Sequence, residues 1–118
     1  TIGIRPTITR FPGGSSNTVS RFNRGIMTRL TNEVLSRGYN YFDWNISSGD
    51  AGGTTSTNQV YLNVINTLKS SYSIVLQHDS KSYSVAAVER IIQYGLANGY
   101  TFLPLDETSP GAHHGTKN

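Results

Sequence analysis

At 118 residues the chain is long enough for one modest domain and too short for a closed eight-stranded α/β barrel, which takes about 200 residues or more. Hydrophobic residues make up 36% and charged ones only 14%, with 12 glycines, which describes a folded chain with an uncharged-polar surface and excludes a disordered one. There is no cysteine, so disulfides and thiolate metal sites are excluded as well.

The net charge of +3 and pI near 9.4 invite a nucleic-acid reading. Four of the ten basic residues, Arg21, Arg24, Arg29 and Arg37, fall in one segment with a single acid, Glu33, and without a series of aromatics spaced for base stacking. They read as the solvated face of an amphipathic helix, and no nucleic-acid partner is expected. No run reaches transmembrane length, and the first residues carry no signal-peptide pattern. A start at Thr1 without Met suggests an excised or processed piece.

In chain order, Pro6 to Arg10 is β-branched and alternating, which predicts a strand ending at Phe11-Pro12-Gly13-Gly14. From about Arg24 to Arg37, Ile26, Leu30 and Val34 recur every four positions, with Met27 and Leu35 beside them, which predicts a helix closed by Gly38. Tyr39 to Asn45 is aromatic and strand-like, and residues 46–55 read as a loop. Ser56 with Gln59 has the form of a capping box, and Val60, Val64 and Leu68 carry the helix to about Ser70. Ser73 to Asp79 is a short apolar run, a buried strand ending in an imidazole and a carboxylate. Val85, Val88, Ile91 and Ile92 trace a third helix that closes at Asn98-Gly99, and Tyr100 to Leu105 reads as a last strand. The alternation predicts an α/β fold with about four parallel strands, and the matching exits Leu35-Ser-Arg-Gly-Tyr39 and Leu96-Ala-Asn-Gly-Tyr100 predict the same turn chemistry twice.

Parallel strands bring their carboxyl ends to one edge, where ligands bind. The expected edge carries Arg10, Asp43 with Trp44, and His78 with Asp79. A carboxylate that accepts from the ring N–H of a histidine fixes its tautomer and favours the imidazolium, a general acid; Asp43 and His78 are the expected pair. In the Phe11 to Asn17 loop, exposed N–H groups at Gly13 and Gly14 suit an oxyanion, and the lack of a Lys-Ser/Thr ending excludes a phosphate loop. His113 and His114, adjacent in a Gly/Pro/Thr tail, read as part of a mobile end rather than a metal site.

Three stretches, Arg10-Phe-Pro-Gly-Gly-Ser-Ser-Asn17, Tyr41-Phe-Asp-Trp-Asn45 with Ser48-Gly-Asp50, and Leu76-Gln-His-Asp79, together resemble the third, fourth and fifth motifs of the polysaccharide deacetylases, the NodB-like carbohydrate esterases. That resemblance implies a distorted α/β barrel that uses a divalent metal, usually zinc, to hydrolyse N-acetyl groups of N-acetylglucosamine polymers such as peptidoglycan or chitin-like chains. By the same resemblance Arg10 orients the catalytic aspartate, the Gly13 N–H helps hold the oxyanion, Asp43 tunes His78, and His78 protonates the departing amine. Trp44 and Leu76 line the acetyl pocket, with Pro12 beside them against substrate. Phe11 and Gly13 replace the first proline and the tyrosine of the commoner Arg-Pro-Pro-Tyr-Gly pattern.

The family's first motif, which supplies the base and one metal ligand, and its second, His-x-x-x-His, do not occur here. The resemblance therefore implies residues 1–118 to be the C-terminal half of a catalytic domain, with 106–118 a mobile tail, and this chain alone to be inactive and to hold no metal by family ligands. Its expected partners are the polymer and the missing N-terminal half, with self-association through open sheet edges possible, and its expected place is extracellular or in the cell envelope. A non-catalytic carbohydrate-binding α/β module is the alternative.

Overall fold

The computed structural model describes residues 3–118, and their contacts gather into two compact units. One comprises residues up to Trp44 with Pro104–Asn118; the other is Asn45–Leu103.

In the first unit β1 (Ile8–Thr9) pairs in parallel with β2 (Asn40–Tyr41), and α1 (Ile26–Ser36) connects them. Asn40 N–H and Phe42 N–H donate to Thr7 and Thr9 carbonyls at 2.8 and 2.9 Å, so the ladder runs slightly beyond the strands. A 3-10 turn over Thr18–Arg21 precedes α1, capped by the Asn17 side chain, which accepts from Val19 N–H. Of the stripe that marks α1, Met27 is buried, Ile26 and Val34 are half-buried and Leu30 and Leu35 are exposed, and Thr31 is buried beside Met27. Met27, Tyr41, Phe42 and Ala112 form the buried apolar set.

In the second unit β3 (Ile46–Ser47) pairs in parallel with β4 (Val75–Leu76), and α2 (Thr57–Ile65) and α3 (Ser82–Ala97) pack on each other. Ile46, Val60, Val64, Ala87 and Ile91 make the core, with Tyr61, Leu68, Val75 and Tyr83 around it. Ser56 caps α2 as expected, accepting from Gln59 N–H at 3.3 Å, but the helix ends at Ile65, five residues early, where Thr67 Oγ1 bonds back to the Asn63 carbonyl.

Both helix exits repeat. Gly38 and Gly99 each take φ +82°, and the next residue's N–H closes the helix, Tyr39 to the Val34 carbonyl at 3.0 Å and Tyr100 to that of Gly95 at 2.9 Å.

The α/β class, the parallel pairing and the number of strands are as expected, but the four do not join one ladder. Two two-stranded sheets form instead, because the aromatic run stops pairing with β1 after Phe42 and a new strand opens at Ile46, inside the expected loop. Tyr100 to Leu105 forms no strand: Tyr100 N–H closes α3, and the next N–H groups, 101–103, make no backbone hydrogen bond among the described residues. Tail residues make contacts within the first unit. Ala112 is buried, its carbonyl accepts from Asp43 N–H at 2.7 Å, and the Thr116 hydroxyl lies 3.1 Å from that of Thr28.

Candidate active site

Two buried aspartates organise the polar chemistry, one in each unit. In the second unit, Asp50 follows β3, and its carboxylate reaches His78, the second residue past the end of β4. Asp50 Oδ2 accepts from the His78 backbone N–H at 2.7 Å, and Oδ1 lies 2.8 Å from His78 Nδ1. The Ser84 hydroxyl, fully buried in the first turn of α3, donates a short bond to Oδ2. Gln77 Nε2 in turn holds the Ser84 carbonyl at 2.7 Å.

Burial pushes the Asp50 carboxyl up, but hydrogen bonds from Ser84, from His78 backbone and ring, and from Ser48 outweigh it and hold Asp50 far below the usual carboxylate range. An ionised acceptor against Nδ1 places the ring proton there and directs Nε2 away from the carboxylate. With 38% of its side chain exposed and no hydrogen bond at Nε2 among the described residues, His78 presents that nitrogen for chemistry. The carboxylate partner of His78 is thus Asp50, not the expected Asp43.

Asp43, in the first unit, is spent differently. Oδ1 accepts from Ser15 N–H at 2.7 Å, while Oδ2 takes the Ser15 hydroxyl and His114 N–H, the latter at 2.8 Å. Burial raises this carboxyl, and the bonds from Ser15 and the His114 backbone, with the nearby His114 ring, bring it net below its ordinary value. Burial and the Asp43 charge push the Tyr41 phenol up. Asp43 ties strand, glycine loop and tail together.

Of the other expected residues, Arg10 is exposed and donates to the Phe11 carbonyl at 3.2 Å. Pro12 and Gly13 are exposed, and the Gly13 N–H has no hydrogen-bond partner among the described residues, as an oxyanion donor requires. Gly14 allows the loop its turn: at φ +79° a Cβ would meet Trp44 at 3.0 Å, Asp43 Oδ1 at 3.1 Å and His114 Nδ1 at 3.2 Å. Trp44 is half-buried, edge-on to the His114 ring at 4.6 Å; Leu76 is half-buried in β4. Arg10, Pro12, Gly13, Asp43 and Trp44 belong to the first unit and Leu76 and His78 to the second.

No group of three or more His, Cys, Asp or Glu among the described residues could hold a metal ion. His113 Nε2 lies 3.0 Å from the Tyr41 carbonyl with its ring stacked on Tyr41, and His114 Nε2 lies 2.6 Å from the Trp44 carbonyl, so both tail imidazoles are engaged. The side chains of the described residues do not fit a zinc centre.

The residues missed from sequence were Asp50, Ser84 and the Ser15–His114 clasp. Asp50 stood in the quoted Ser48-Gly-Asp50 but was read as loop; placing a strand at Ile46–Ser47 would have set it at a strand's carboxyl end.

The relatives and structural neighbours of the chain are polysaccharide deacetylases, and the chain spans about half of their length or less. Within that class it is similar to peptidoglycan N-acetylglucosamine deacetylases: it is 58% identical to the catalytic domain of the Eubacterium rectale enzyme, with a TM-score of 0.93 over 98% of this chain and 54% of that one. A polysaccharide deacetylase from Bacillus cereus superposes with a TM-score of 0.77 at 30% identity, over 95% of this chain and 53% of that one. The curated B. cereus peptidoglycan-N-acetylglucosamine deacetylase is 31% identical over 113 residues, 92% of this chain but only 39% of that protein. No family model matches the chain.

Proposed function

We propose that this chain is the proton-donating portion of a polysaccharide N-deacetylase acting on N-acetylglucosamine-containing polymer, peptidoglycan in the first place. The observation that carries the reading is the Asp50–His78 pair, a buried carboxylate that fixes a half-exposed imidazole at a strand's end. The names of the E. rectale and B. cereus relatives support the substrate.

In this reading His78, protonated at Nε2, gives that proton to the amide nitrogen as the carbon–nitrogen bond breaks, so that acetate and a free glucosamine amine leave. Asp50 holds the tautomer and offsets the imidazolium charge, and Gly13 N–H donates to the oxyanion. Trp44 and Leu76 line the acetyl pocket, Pro12 flanks it, and Arg10 orients the base. Preparation of the attacking water, by a base and a divalent metal of the zinc class, belongs to a part of the catalytic domain outside this chain. Peptidoglycan lies outside the cytoplasmic membrane, which is where we place the enzyme.

Acetate release from peptidoglycan and from chitooligosaccharide tests the reading. The chain alone with added zinc releases none. Co-expressed with the complementary part of the E. rectale catalytic domain it releases acetate, and His78→Ala lowers that rate by about 10²–10⁴-fold. Turnover by the chain alone would sink the claim that it is half of a site. Glycan binding with no acetate release from the reconstituted pair would favour the binding module.

A further inference from the structure

The last residues of the chain lie against the glycine loop of the first unit. The ladder from β2 to β1 ends at Phe42, whose N–H reaches the Thr9 carbonyl, and backbone groups just beyond it are taken by the tail. Asp43 N–H donates to the Ala112 carbonyl at 2.7 Å, and the Trp44 carbonyl lies 2.6 Å from His114 Nε2. A carbonyl only accepts, so His114 carries a proton on Nε2 and donates it there. In the neutral ring Nδ1 is then an acceptor, and it faces the Ser16 hydroxyl at 3.4 Å. His113 bonds in the same way to the Tyr41 carbonyl at 3.0 Å, with its ring stacked on that of Tyr41.

The two tail histidines differ in what their rings touch. His113 covers β2, whereas His114 stands edge-on to the Trp44 indole, and its Nδ1 is one of three atoms that a Cβ on Gly14 would meet within 3.2 Å. The other two belong to Trp44 and Asp43, so the three side chains close over the bare Cα of Gly14. Asn17 Nδ2 holds the Gly14 carbonyl at 2.8 Å. One residue earlier is Gly13, whose N–H has no partner among the described residues. The tail thus ends with a ring packed on the residue next to the candidate oxyanion donor and on the candidate wall of the acetyl pocket.

We propose that the C-terminal tail is part of the candidate site and that His114 is a positioning residue, whose ring fixes the Trp44 indole and, through Gly14, the aim of the Gly13 N–H. The ring carries this role rather than the backbone, because the His114 N–H bond to Asp43 survives replacement of the side chain. A donor held in place before the oxyanion forms needs no reorganisation during the reaction, and a shift of about 1 Å in such a group costs on the order of 10²-fold in rate. The role in the reaction rests on the reading of this chain as part of a deacetylase. The hold on Trp44 and Gly14 does not.

Trp44 is the single tryptophan of the chain, so its fluorescence reads this contact alone. In His114→Ala, which lies outside any helix or strand and keeps the helical circular dichroism, Trp44 emission shifts to longer wavelength and amide exchange at Gly14 speeds up about tenfold. His114→Gln, whose side-chain N–H reaches for the same carbonyl, returns both towards the unaltered chain. His113→Ala removes a bond and a ring contact of the same kind from the same tail and moves neither, which separates positioning from a general loosening. In the enzyme reconstituted with the complementary E. rectale polypeptide, His114→Ala lowers kcat for acetate release by about 10–10²-fold. KM for chitooligosaccharide stays within about threefold, since the oxyanion exists only in the transition state. Unmoved Trp44 emission and Gly14 exchange in His114→Ala, equal changes in His113→Ala, or an undiminished kcat in the reconstituted His114→Ala enzyme overturns the proposal. If the unaltered pair releases no acetate, the deacetylase reading falls, and emission and exchange decide the hold on Trp44 and Gly14 by themselves.

Discussion

Each unit buries one aspartate, and each aspartate gathers a serine hydroxyl, a backbone N–H and a histidine, yet the two clusters differ in how the histidine is held. Asp43 takes His114 by its backbone N–H, and the His114 ring turns to the Trp44 carbonyl. Asp50 takes His78 by backbone and ring together, leaving Nε2 without a hydrogen bond among the described residues. The first arrangement uses up its imidazole in holding the chain; the second aims one. Which nitrogen a carboxylate grips therefore separates a clasp from a candidate acid, although composition and burial are nearly the same.

Replacing Asp50 gives the largest effect. Asp50→Ala leaves the His78 N–H groups and the buried Ser84 hydroxyl without an acceptor and costs about 3–5 kcal/mol of stability by denaturant unfolding. Asp50→Asn keeps the shape but opposes an amide to Nδ1–H; in the reconstituted enzyme it lowers acetate release by about 10²-fold or more, and nitrogen chemical shifts of His78 report a changed tautomer. Asp43→Ala strands Ser15 and His114 N–H and costs about 3 kcal/mol, with faster exchange at residues 112–114. The comparison breaks if Asp43→Asn changes the His78 tautomer as much as Asp50→Asn does.

The local signals were legible because short-range physics sets them. The Ser56 cap and the twin Gly-Tyr helix exits were readable from spacing, and so was a strand before His78, though β4 is only Val75–Leu76 and half-buried rather than buried from Ser73 to Asp79. What was not legible depended on pairing at a distance. The run from Tyr39 to Asn45 looks like one strand, but its ladder to β1 ends at Phe42 and a second ladder begins at Asn45, whose N–H donates to the Ile74 carbonyl. Nothing in the period-two pattern marks that change of partner, and missing it assigned Asp43 to His78. On α3 the apolar spacing marks the helix but not the face it buries, which close packing with α2 sets at Ser84, Ala87, Ile91 and Gly95. The tail's contacts were not legible either, because they are long-range bonds to Asp43 that Gly and Pro composition does not announce.

Acid sharpens the comparison next. Both folded carboxyls lie below the unfolded value of about 4, so between that value and the folded ones the unfolded chain binds more protons and stability rises with pH. Their contribution is whole above about pH 4–5 and is lost as pH falls through the folded values. An unfolding series from pH 6 to pH 2 should show falling stability below about pH 4, with a gentler slope in Asp50→Asn and a smaller relief in Asp43→Asn, whose carboxyl is less depressed. Equal slopes in all three proteins would mean that neither cluster carries the acid sensitivity.

Ser84→Ala gives the smallest effect and the finest test. It removes one donor from Asp50 and leaves both His78 contacts in place, so the expected loss is about 1–2 kcal/mol. Because Ser84 sits in the first turn of α3, the change also frees the helix start from the carboxylate that grips the end of β4. If Ser84 positions the pair, Ser84→Thr restores the hydroxyl and recovers the tautomer of His78, whereas a role confined to packing leaves the tautomer unmoved in both variants. The clasp at Asp43 offers no parallel readout: loss of the Ser15 hydroxyl in Ser15→Ala lowers stability by a similar amount and leaves His78 as it was.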